Sequence, residues 1–278
     1  MCEAGVNVLA VGFFDGVHLG HQAILRGADA ALTFRSHPLS VLAPDSAPAL
    51  IMGVDERLEA MRGCGVGSVV AVDFTPELAA MEPGDFLRMA MDVHPFGAIR
   101  CGENWRFGRG GAGDAAWIRA HGIAVEVVPY AEYAGERISS SRIRAALSRG
   151  EVEAAGAMMG RRPCVSCRRF RGKGVGGEIG FPTVNLESDA PMLRLLPRGA
   201  YVVEMSGRRG VANYGVAPTM GDDAWRHPVL EVHFPGGEPP AAEGRELVSL
   251  LRFLRPERRF SGIGELKAQI AADVAAAG

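Results

Sequence analysis

The sequence lacks the features that mark nucleic-acid-binding and membrane proteins. It carries 30 basic and 32 acidic side chains over 278 residues, so its formal net charge of −2 provides no basic field to attract nucleic acid. Its apolar runs fall well short of the roughly 20 residues that span a bilayer. The stretch from Met1 to Gly5 lacks the basic start and apolar core of a signal peptide. We therefore predict a cytoplasmic protein with no nucleic-acid or membrane partner.

Cysteine is also too sparse to build a disulfide framework. The five cysteines are odd in number and scattered, as expected for reduced thiols in a cytoplasm. Cys164 and Cys167 have the Cys-x-x-Cys spacing of a metal or redox pair. No second pair or histidine cluster stands nearby to complete a zinc site, so we interpret both as ordinary strand residues.

The chain does have the length and the 47% apolar content of two globular domains. Its first half alternates predicted strands with predicted helices. The strands are Val8–Val11, Ala30–Phe34, Ser68–Val72, Ala98–Cys101 and Ile123–Val128, and the helices are Asp55–Arg62, Pro83–Met91 and Ala112–His121. This alternation indicates a parallel sheet, which binds ligands at the carboxyl ends of its strands. The polar residues that follow these strands are Asp15, His18, His37 and Asn104. We expect them to meet at that edge.

The second half of the chain has a different texture. Serines 139–141 can cap a helix that carries Arg142, and a second helix over Glu151–Met159 ends at Gly160. Short alternating strands then follow at Val165–Arg169, Tyr201–Met205, Val211–Tyr214, Val229–Phe234 and Leu247–Phe253. This pattern is typical of an antiparallel barrel or sandwich. The last segment places Ile263, Leu266, Ile270 and Val274 on one face, which predicts an amphipathic helix packed on the barrel.

Two histidines, His18 and His21, stand where the first strand gives way to a helix. Backbone N–H groups and the helix dipole hold phosphate at such a junction, and Gly16 and Gly20 let the backbone approach a ligand closely. Two imidazoles can also donate hydrogen bonds to charge that builds as a phosphorus–oxygen bond breaks. The spacing His-x-Gly-His is typical of nucleotidyltransferases. A chance pair of histidines in a turn is the alternative interpretation.

Further motifs follow in order along the chain. They are Thr33–Pro38, Phe74-Thr75, Gly102–Gly108, Ser139–Arg144, Gly160-Arg161, Gly180–Asn185, Pro218-Thr219, Glu231–His233 and Arg255–Phe260. Together with Gly12–His21, they resemble the bifunctional prokaryotic riboflavin kinase/FAD synthetase family over nearly the whole chain. The resemblance implies an α/β, Rossmann-like FMN adenylyltransferase domain over residues 1–158. It also implies an all-β riboflavin kinase domain over residues 159–278, an antiparallel barrel with a terminal helix.

In the first domain, FMN's phosphate would attack the α-phosphorus of ATP, a reaction that needs positioning and charge stabilisation and no strong base. The resemblance implies that His18 and His21 hold the ATP phosphates and that Arg142 binds the leaving phosphates. The other nucleotide-binding residues it implies are Gly12, Phe13, Asp15, Gly16, Asn104, Ser140 and Ser141. His37 and Pro38 would shape the flavin side. A residue that only shapes the turn is the alternative interpretation of His37.

In the second domain, a ribityl hydroxyl must lose a proton as it attacks the γ-phosphorus of ATP. A positioned carboxylate serves this purpose, and the resemblance assigns it to Glu231. The oxygens of Thr183 and Asn185 suit Mg²⁺, the implied cofactor. The implied nucleotide-binding residues are Gly172, Lys173, Gly174, Gly180 and Pro182, and Arg255 is the implied flavin-binding residue. Gly172–Gly177 also matches Gly-x-Gly-x-x-Gly, but no helix follows, so we interpret it as a phosphate-binding flap or a flexible hairpin loop.

Some departures from the family keep other hypotheses open. The helix after His21 must be short, and Cys167–Arg169 replace a glycine and valines of relatives. The barrel also lacks a tyrosine-containing turn after the Glu231 strand. The chain could therefore be an FAD synthetase with a degenerate barrel, a flavin-binding regulator, or a nucleotidyltransferase for another phosphate such as pantetheine phosphate. The bifunctional enzyme remains our main hypothesis, acting on ATP, riboflavin and FMN as a monomer or weak homo-oligomer.

Overall fold

The computed structural model describes residues 7–171, 177, 180–215, 228–236 and 244–278. The chain divides into two compact units, Met1–Ser140 and Ser141–Gly278. Three predicted phosphate-binding residues, Gly172, Lys173 and Gly174, lie outside the described residues, as does the Pro218-Thr219 motif. No helix in the described parts of the chain combines the length and apolar character needed to cross a bilayer.

The first unit contains the predicted parallel sheet. Its strands are β1 (Val8–Val11), β2 (Ala30–Phe34), β3 (Ser68–Val72), β4 (Ala98–Gly102) and β5 (Ala124–Val128), in the order β3-β2-β1-β4-β5. The chain runs outward from β1 through β2 to β3 and then returns to β4 on the other side of β1. The switch point of the sheet therefore lies between the carboxyl ends of β1 and β4, where such sheets bind ligands.

Helices cover this sheet and bury its apolar side chains. They are α1 (Leu19–Leu25), α2 (Leu39–Leu42), α3 (Val54–Arg62), α4 (Pro76–Ala79), α5 (Pro83–Val93) and α6 (Ala115–Ala120). Leu32 and Ile99 of the sheet join Phe86 and Ile118 of the helices in one buried core. Helix α6 begins at Ala115 rather than at the predicted Ala112, because the carboxylate of Asp114 accepts the Trp117 N–H at 2.8 Å and caps the helix there.

The short helix predicted after His21 is present, and α1 has two turns. Arg100 of β4 ends it, since its guanidinium donates to the carbonyl oxygens of Ala23 and Ile24, each at 3.1 Å. These carbonyls belong to the last turn, where a helix leaves its C=O groups unpaired. Arg100, a residue of a strand, therefore provides hydrogen bonds to carbonyl groups that the short helix leaves without partners of its own. A short hairpin that the sequence analysis did not predict, β6 (Glu132–Tyr133) and β7 (Glu136–Arg137), follows later in the unit.

The second unit is a closed antiparallel barrel preceded by helices. Helix α7 (Ser140–Ser148) begins at the boundary of the two units, and α8 (Val152–Met159) ends at Gly160 in the left-handed conformation. The barrel strands are β8 (Cys164–Phe170), β9 (Thr183–Glu187), β10 (Gly199–Met205), β11 (Arg208–Gly215), β12 (Val229–His233) and β13 (Arg245–Pro256). They close in the order β10-β11-β12-β9-β8-β13. Strand β9 is an addition to the predicted set, which had treated Thr183 and Asn185 only as residues after a turn.

The terminal helix α9 (Ile263–Ala276) packs on the barrel through Val274, which contacts a cluster that includes Val202 and Val211. The predicted apolar face is wrong at its beginning, because Ile263 is 63% exposed. The helix is held instead by Arg255 of β13, whose guanidinium forms a bidentate ion pair with the buried Asp273 at 2.7–3.2 Å.

Candidate active sites

The loop between β1 and α1 has an unusual backbone. Phe14, Gly16 and Val17 have φ angles of 58°, 80° and 38°, in the left-handed region. This conformation costs a β-branched residue such as Val17 on the order of 1–3 kcal/mol and persists only where its surroundings impose it. Gly16 is further constrained, since a Cβ there would lie 3.0 Å from the side chain of Ile51. The structure therefore fixes this loop in a shape that the chain alone does not favour.

The two histidines of the loop stand together. His18 is the N-cap of α1, and its Nδ1 accepts the backbone N–H of His21 at 3.3 Å. The rings are stacked, with centroids 3.5 Å apart and an interplanar angle of 18°. The ring of Phe14 meets His21 edge-on at 5.3 Å. Both imidazoles therefore lie at one helix N-terminus, despite the short helix.

Asp15 anchors the loop to the rest of the unit. Its buried carboxylate accepts the backbone N–H groups of Ile51 and Met52 at 3.0–3.2 Å, directly before α3. Its carbonyl oxygen accepts the hydroxyl of Ser140 at 2.9 Å. The carboxylate that the sequence analysis predicted to bind nucleotide is thus engaged by backbone amides, while Ser140 opens helix α7. Ser141 and Arg142 follow in the first turn of α7, Ser141 exposed and Arg142 half-buried.

His37 and Phe13 form a second pair near this edge of the sheet. Their rings meet edge-on with centroids 4.7 Å apart. Nδ1 of His37 accepts the backbone N–H of Leu39 at 3.1 Å, so the neutral ring carries its proton on Nε2. Pro38 is the N-cap of α2. A ligand acceptor facing Nε2 would find a hydrogen-bond donor there.

The carboxyl end of β4 carries the remaining predicted residue of this unit. Asn104 is exposed in a turn closed by the Trp105 N–H on the carbonyl of Gly102 at 3.0 Å. Because β4 lies beside β1, Asn104 follows one of the two strands that flank the switch point. The polar residues predicted for this edge therefore follow the carboxyl ends of adjacent strands.

A second group of polar residues lies on the outer face of the barrel. The strand register pairs Glu231 with Asn185 on one side and with Asn213 on the other, and it pairs His233 with Thr183. Directly paired residues project from the same face of a sheet. The alternate residues of these strands are buried, as Val184 and Val232 show. Thr183, Asn185 and Glu231 therefore share one face, on the adjacent strands β9 and β12.

The environment of Glu231 changes its titration. Burial raises the pKa of this carboxyl group above its ordinary value, since desolvation disfavours the charged form. A carboxylate with a raised pKa is a stronger base once it has lost its proton. The position and the acidity of Glu231 are therefore both suited to accepting a proton.

His233 connects this face to the turn before β9. Its Nδ1 lies 2.9 Å from the carbonyl oxygen of Pro182, which requires that Nδ1 carry the proton. The ring of Phe181 meets His233 edge-on at 5.3 Å. Gly180 begins the turn with a φ of 87°, a conformation that glycine adopts without strain. His233 thereby fixes the backbone directly before Thr183.

Comparison with known proteins assigns both units. Residues 3–142 match the family described as FAD synthetase, and residues 159–278 match the family described as riboflavin kinase. The bifunctional riboflavin kinase/FMN adenylyltransferase of Escherichia coli K12 is 33% identical over 96% of this chain and 90% of its own length. The enzyme of the same description from Bacillus subtilis is 29% identical over 98% and 91%.

The chain belongs to the bifunctional riboflavin kinase/FMN adenylyltransferase family. It phosphorylates riboflavin to FMN with ATP, and it transfers AMP from ATP to FMN to make FAD and pyrophosphate. The bifunctional prediction is confirmed over the alternative of an FAD synthetase with a degenerate barrel. A crystal structure of a macrolide-efflux protein from Streptococcus pneumoniae has the same fold, with a TM-score of 0.85 and 26% identity over 99% of this chain and 94% of its own.

The departures from the family at Cys167–Arg169 are accommodated within the barrel. Cys167 is buried inside the barrel, and Arg168 forms an ion pair with Glu187 at 2.6 Å. Arg169 is paired with the buried Glu246. These side chains are therefore accommodated by packing and by opposite charges. Within the described residues, no group of three or more His, Cys, Asp or Glu side chains could hold a metal ion, so Cys164 and Cys167 are not part of such a cluster.

Sequence reasoning missed several residues of this family member. Phe14 was passed over for its neighbour Phe13, although Phe14 is buried and contacts His21. Arg57 lies within the predicted helix Asp55–Arg62 and was given no role, yet it is fully buried beneath Phe13. His233 was matched as part of a motif but given no role. Arg255, in contrast, was predicted to bind flavin, and the structure places it in the ion pair with Asp273.

Proposed function

We propose that the two reactions take place at two separate sites, adenylyl transfer at the His18–His21 pair and phosphorylation on the Glu231 face of the barrel. The observation that carries this assignment is the strand register, which places the half-buried carboxylate of Glu231 on the face that it shares with Asn185. Burial also raises the pKa of Glu231. The attacking hydroxyl of riboflavin needs a base, whereas the attacking phosphate of FMN is already ionised. We also propose that the boundary between the adenylyltransferase domain and the kinase domain lies between residues 158 and 159.

For adenylyl transfer, we assign the histidines to the phosphates of ATP. An oxygen of the FMN phosphate forms a bond to the α-phosphorus as the bond to pyrophosphate breaks, so negative charge builds on the leaving oxygens. Because Nδ1 of His18 accepts a backbone N–H, its neutral ring donates from Nε2. Arg142 would bind the leaving pyrophosphate, with Ser141 adding a hydroxyl. His37 and Pro38 would contact the flavin, and Gly12, Phe13, Gly16 and Asn104 the nucleotide.

For phosphorylation, we assign the proton transfer to Glu231. Its carboxylate accepts the proton of the ribityl hydroxyl while that oxygen bonds to the γ-phosphorus and ADP leaves. The donor set of Thr183 and Asn185, a hydroxyl and an amide oxygen on one face, fits Mg²⁺, which keeps water and phosphate oxygens as its other ligands. Bound there, Mg²⁺ would neutralise phosphate charge. Gly180 and Pro182 would contact nucleotide, as would Gly172, Lys173 and Gly174.

We further infer a cytoplasmic enzyme that acts as a monomer or weak homo-oligomer without a nucleic-acid partner. The near-neutral charge supports the last point. The described cysteines Cys64, Cys101, Cys164 and Cys167 are not in disulfides, which agrees with a reducing compartment. With two separate sites, FMN made by the kinase would be released and bound again for adenylyl transfer.

The test incubates the purified protein with riboflavin, ATP and Mg²⁺ and separates the flavins by chromatography. We expect FMN to accumulate first and FAD to follow. FMN without FAD would contradict adenylyl transfer by the first unit. FAD made from added FMN but not from riboflavin would contradict phosphorylation by the barrel. Replacing Mg²⁺ by a chelator should stop FMN formation. Unchanged FMN formation would contradict the proposed role of Mg²⁺.

A further inference from the structure

Arg57 of α3 is buried in a way that stability does not explain. Its side chain is fully inaccessible to solvent, and burial lowers the pKa of the guanidinium. Within the described residues, its Nε and Nη1 atoms have no hydrogen-bond partner. An arginine has five N–H donors, and leaving some of them unpaired in the interior destabilises the fold. An apolar side chain of similar length would fill the same space without this penalty.

The hydrogen bonds that Arg57 does make lie at the end of β2. Its Nη2 donates to the carbonyl oxygen of Phe34 and, at 3.4 Å, to that of Arg35. These two carbonyls directly precede the turn that carries His37. The guanidinium therefore fixes the backbone from which His37 projects.

The flat face of the same guanidinium packs on Phe13. The Cζ atom of Arg57 lies 4.0 Å from the centroid of the Phe13 ring, which is a cation–π contact away from solvent. Phe13 follows β1, and the edge of its ring meets His37 at 4.7 Å. The negative charge of Asp15 in the same loop favours the protonated arginine. One side chain thus contacts the segments that follow two adjacent strands of the sheet.

We propose that Arg57 is a positioning residue for adenylyl transfer, which holds the Phe13–His37 pair in place and thereby sets His37 at the flavin side of the site. This inference rests on the proposed assignment of Phe13 and His37 to the substrates. Arginine suits the role because its planar fork bonds the β2 carbonyls while its face packs on Phe13. Lysine offers one nitrogen and no planar face. Misplacement of a substrate-binding group by about 1 Å costs up to about a hundredfold in rate.

The experiment compares R57M, R57K and the double variant R57M/H37A with H37A alone. FAD formation is measured over a range of FMN concentrations, and FMN formation from riboflavin by the same chain is the internal reference. The matched control is R62M, which removes an exposed arginine from the last turn of the same helix. We expect R57M to raise the KM for FMN by roughly tenfold or more while kcat changes less, as for lost substrate binding. R57K should show a smaller shift, and R62M none.

The double variant separates positioning from structure. If Arg57 acts through His37, R57M/H37A should be no worse than the more damaging single variant, because the two changes remove one interaction. Additive losses would overturn the proposal, and so would a wild-type KM for FMN in R57M. If R57M fails to fold, as judged by its thermal transition, the same comparison is made with R57K, H37A and the double variant R57K/H37A. An unchanged KM in H37A would refute the assignment of His37 itself. If the KM for FMN is raised in H37A but unchanged in R57M and R57K, only the role of Arg57 is refuted.

Discussion

The proposed adenylyltransferase site and the proposed kinase site are built from different kinds of backbone. The first depends on a loop in which Phe14 and Val17 adopt left-handed conformations and on imidazoles stacked at 3.5 Å. The second lies on regular antiparallel strands, where Glu231, Asn185 and Asn213 are aligned by register alone. In the proposed mechanism, the first site would surround several phosphates with donors. The second would present one carboxylate and a pair of oxygen donors on one face.

The difference follows from the charge of the nucleophile. A phosphate that is already ionised requires donors that stabilise charge on the leaving group, and a shaped loop at a helix N-terminus provides them. A hydroxyl requires a base, and a base is strengthened by removing it from water. The first unit thus carries backbone strain, whereas the barrel carries a desolvated carboxylate, Glu231. In each unit, the energetically unfavourable feature lies at the proposed site.

The largest effect should come from removing the base. In E231Q we expect FMN formation to fall by about 10²–10⁴-fold, the usual contribution of general base catalysis, while FAD formation from added FMN is unchanged. Chromatographic rates for each half-reaction measure this. The matched control is E187Q, which removes the carboxylate on the neighbouring strand that pairs with Arg168. Equal loss of both activities in E231Q would contradict two independent sites.

The opposite pattern should follow from the histidines. We expect H21A to lower FAD formation by about 10²–10³-fold, as for loss of one donor to developing charge, and to spare FMN formation. His18 also caps α1, so H18A should destabilise the first unit by about 1 kcal/mol as well. H18N retains a capping side chain and should lose activity without that loss of stability. Thermal melts beside the rates separate the two roles, and full activity in H18N would confine His18 to capping.

The pH profiles of the two activities should differ on the acid side. Glu231 must be ionised to act, and its pKa lies above its ordinary value of 4.5, so kcat/KM of the kinase should fall about tenfold per unit below that raised pKa. The rate of FAD formation should not show this fall at acid pH. Because the folded pKa is the higher one, the stability that Glu231 contributes is complete at low pH and is lost as pH rises through the folded pKa. The melting temperature of E231Q minus that of the wild type should therefore increase as the pH rises from 4 to 7. A difference that stays constant over this range would argue against a desolvated Glu231.

The smallest effect should come from His233, which fixes the turn before Thr183. Asparagine places a donor near the position of Nδ1, whereas glutamine places one near Nε2. We expect H233N to retain the bond to the Pro182 carbonyl and to keep a near-wild-type Mg²⁺ requirement. H233Q and H233A should raise the Mg²⁺ concentration for half-maximal FMN formation by roughly fivefold, about 1 kcal/mol for one hydrogen bond. Identical behaviour of the three variants would separate His233 from the metal site.

Much of the architecture was predictable because it depends on local patterns. The alternation of apolar runs located β1 to β5, and the short alternating strands indicated an antiparallel barrel. Strand β9 escaped detection because Thr183–Glu187 follows a glycine-proline turn, so that Thr183 and Asn185 were interpreted only as residues after that turn. The face of α9 was wrong at Ile263, since periodicity does not reveal where a helix meets its neighbour. The order of the motifs indicated the family, which the similarity to known bifunctional enzymes confirmed.

The sequence by itself determined the chemical groups, namely the histidine pair, the oxygen donors and the carboxylate, because each belongs to a recognisable local motif. Only the tertiary structure decided how those groups are supported. Asp15 bonds to amides 36 and 37 residues away, Arg100 completes a helix from another strand, and Arg57 packs under Phe13. These contacts join segments that are distant along the chain, so no local pattern records them. Burial of Glu231 likewise depends on the residues that surround it in the folded barrel and not on its own strand.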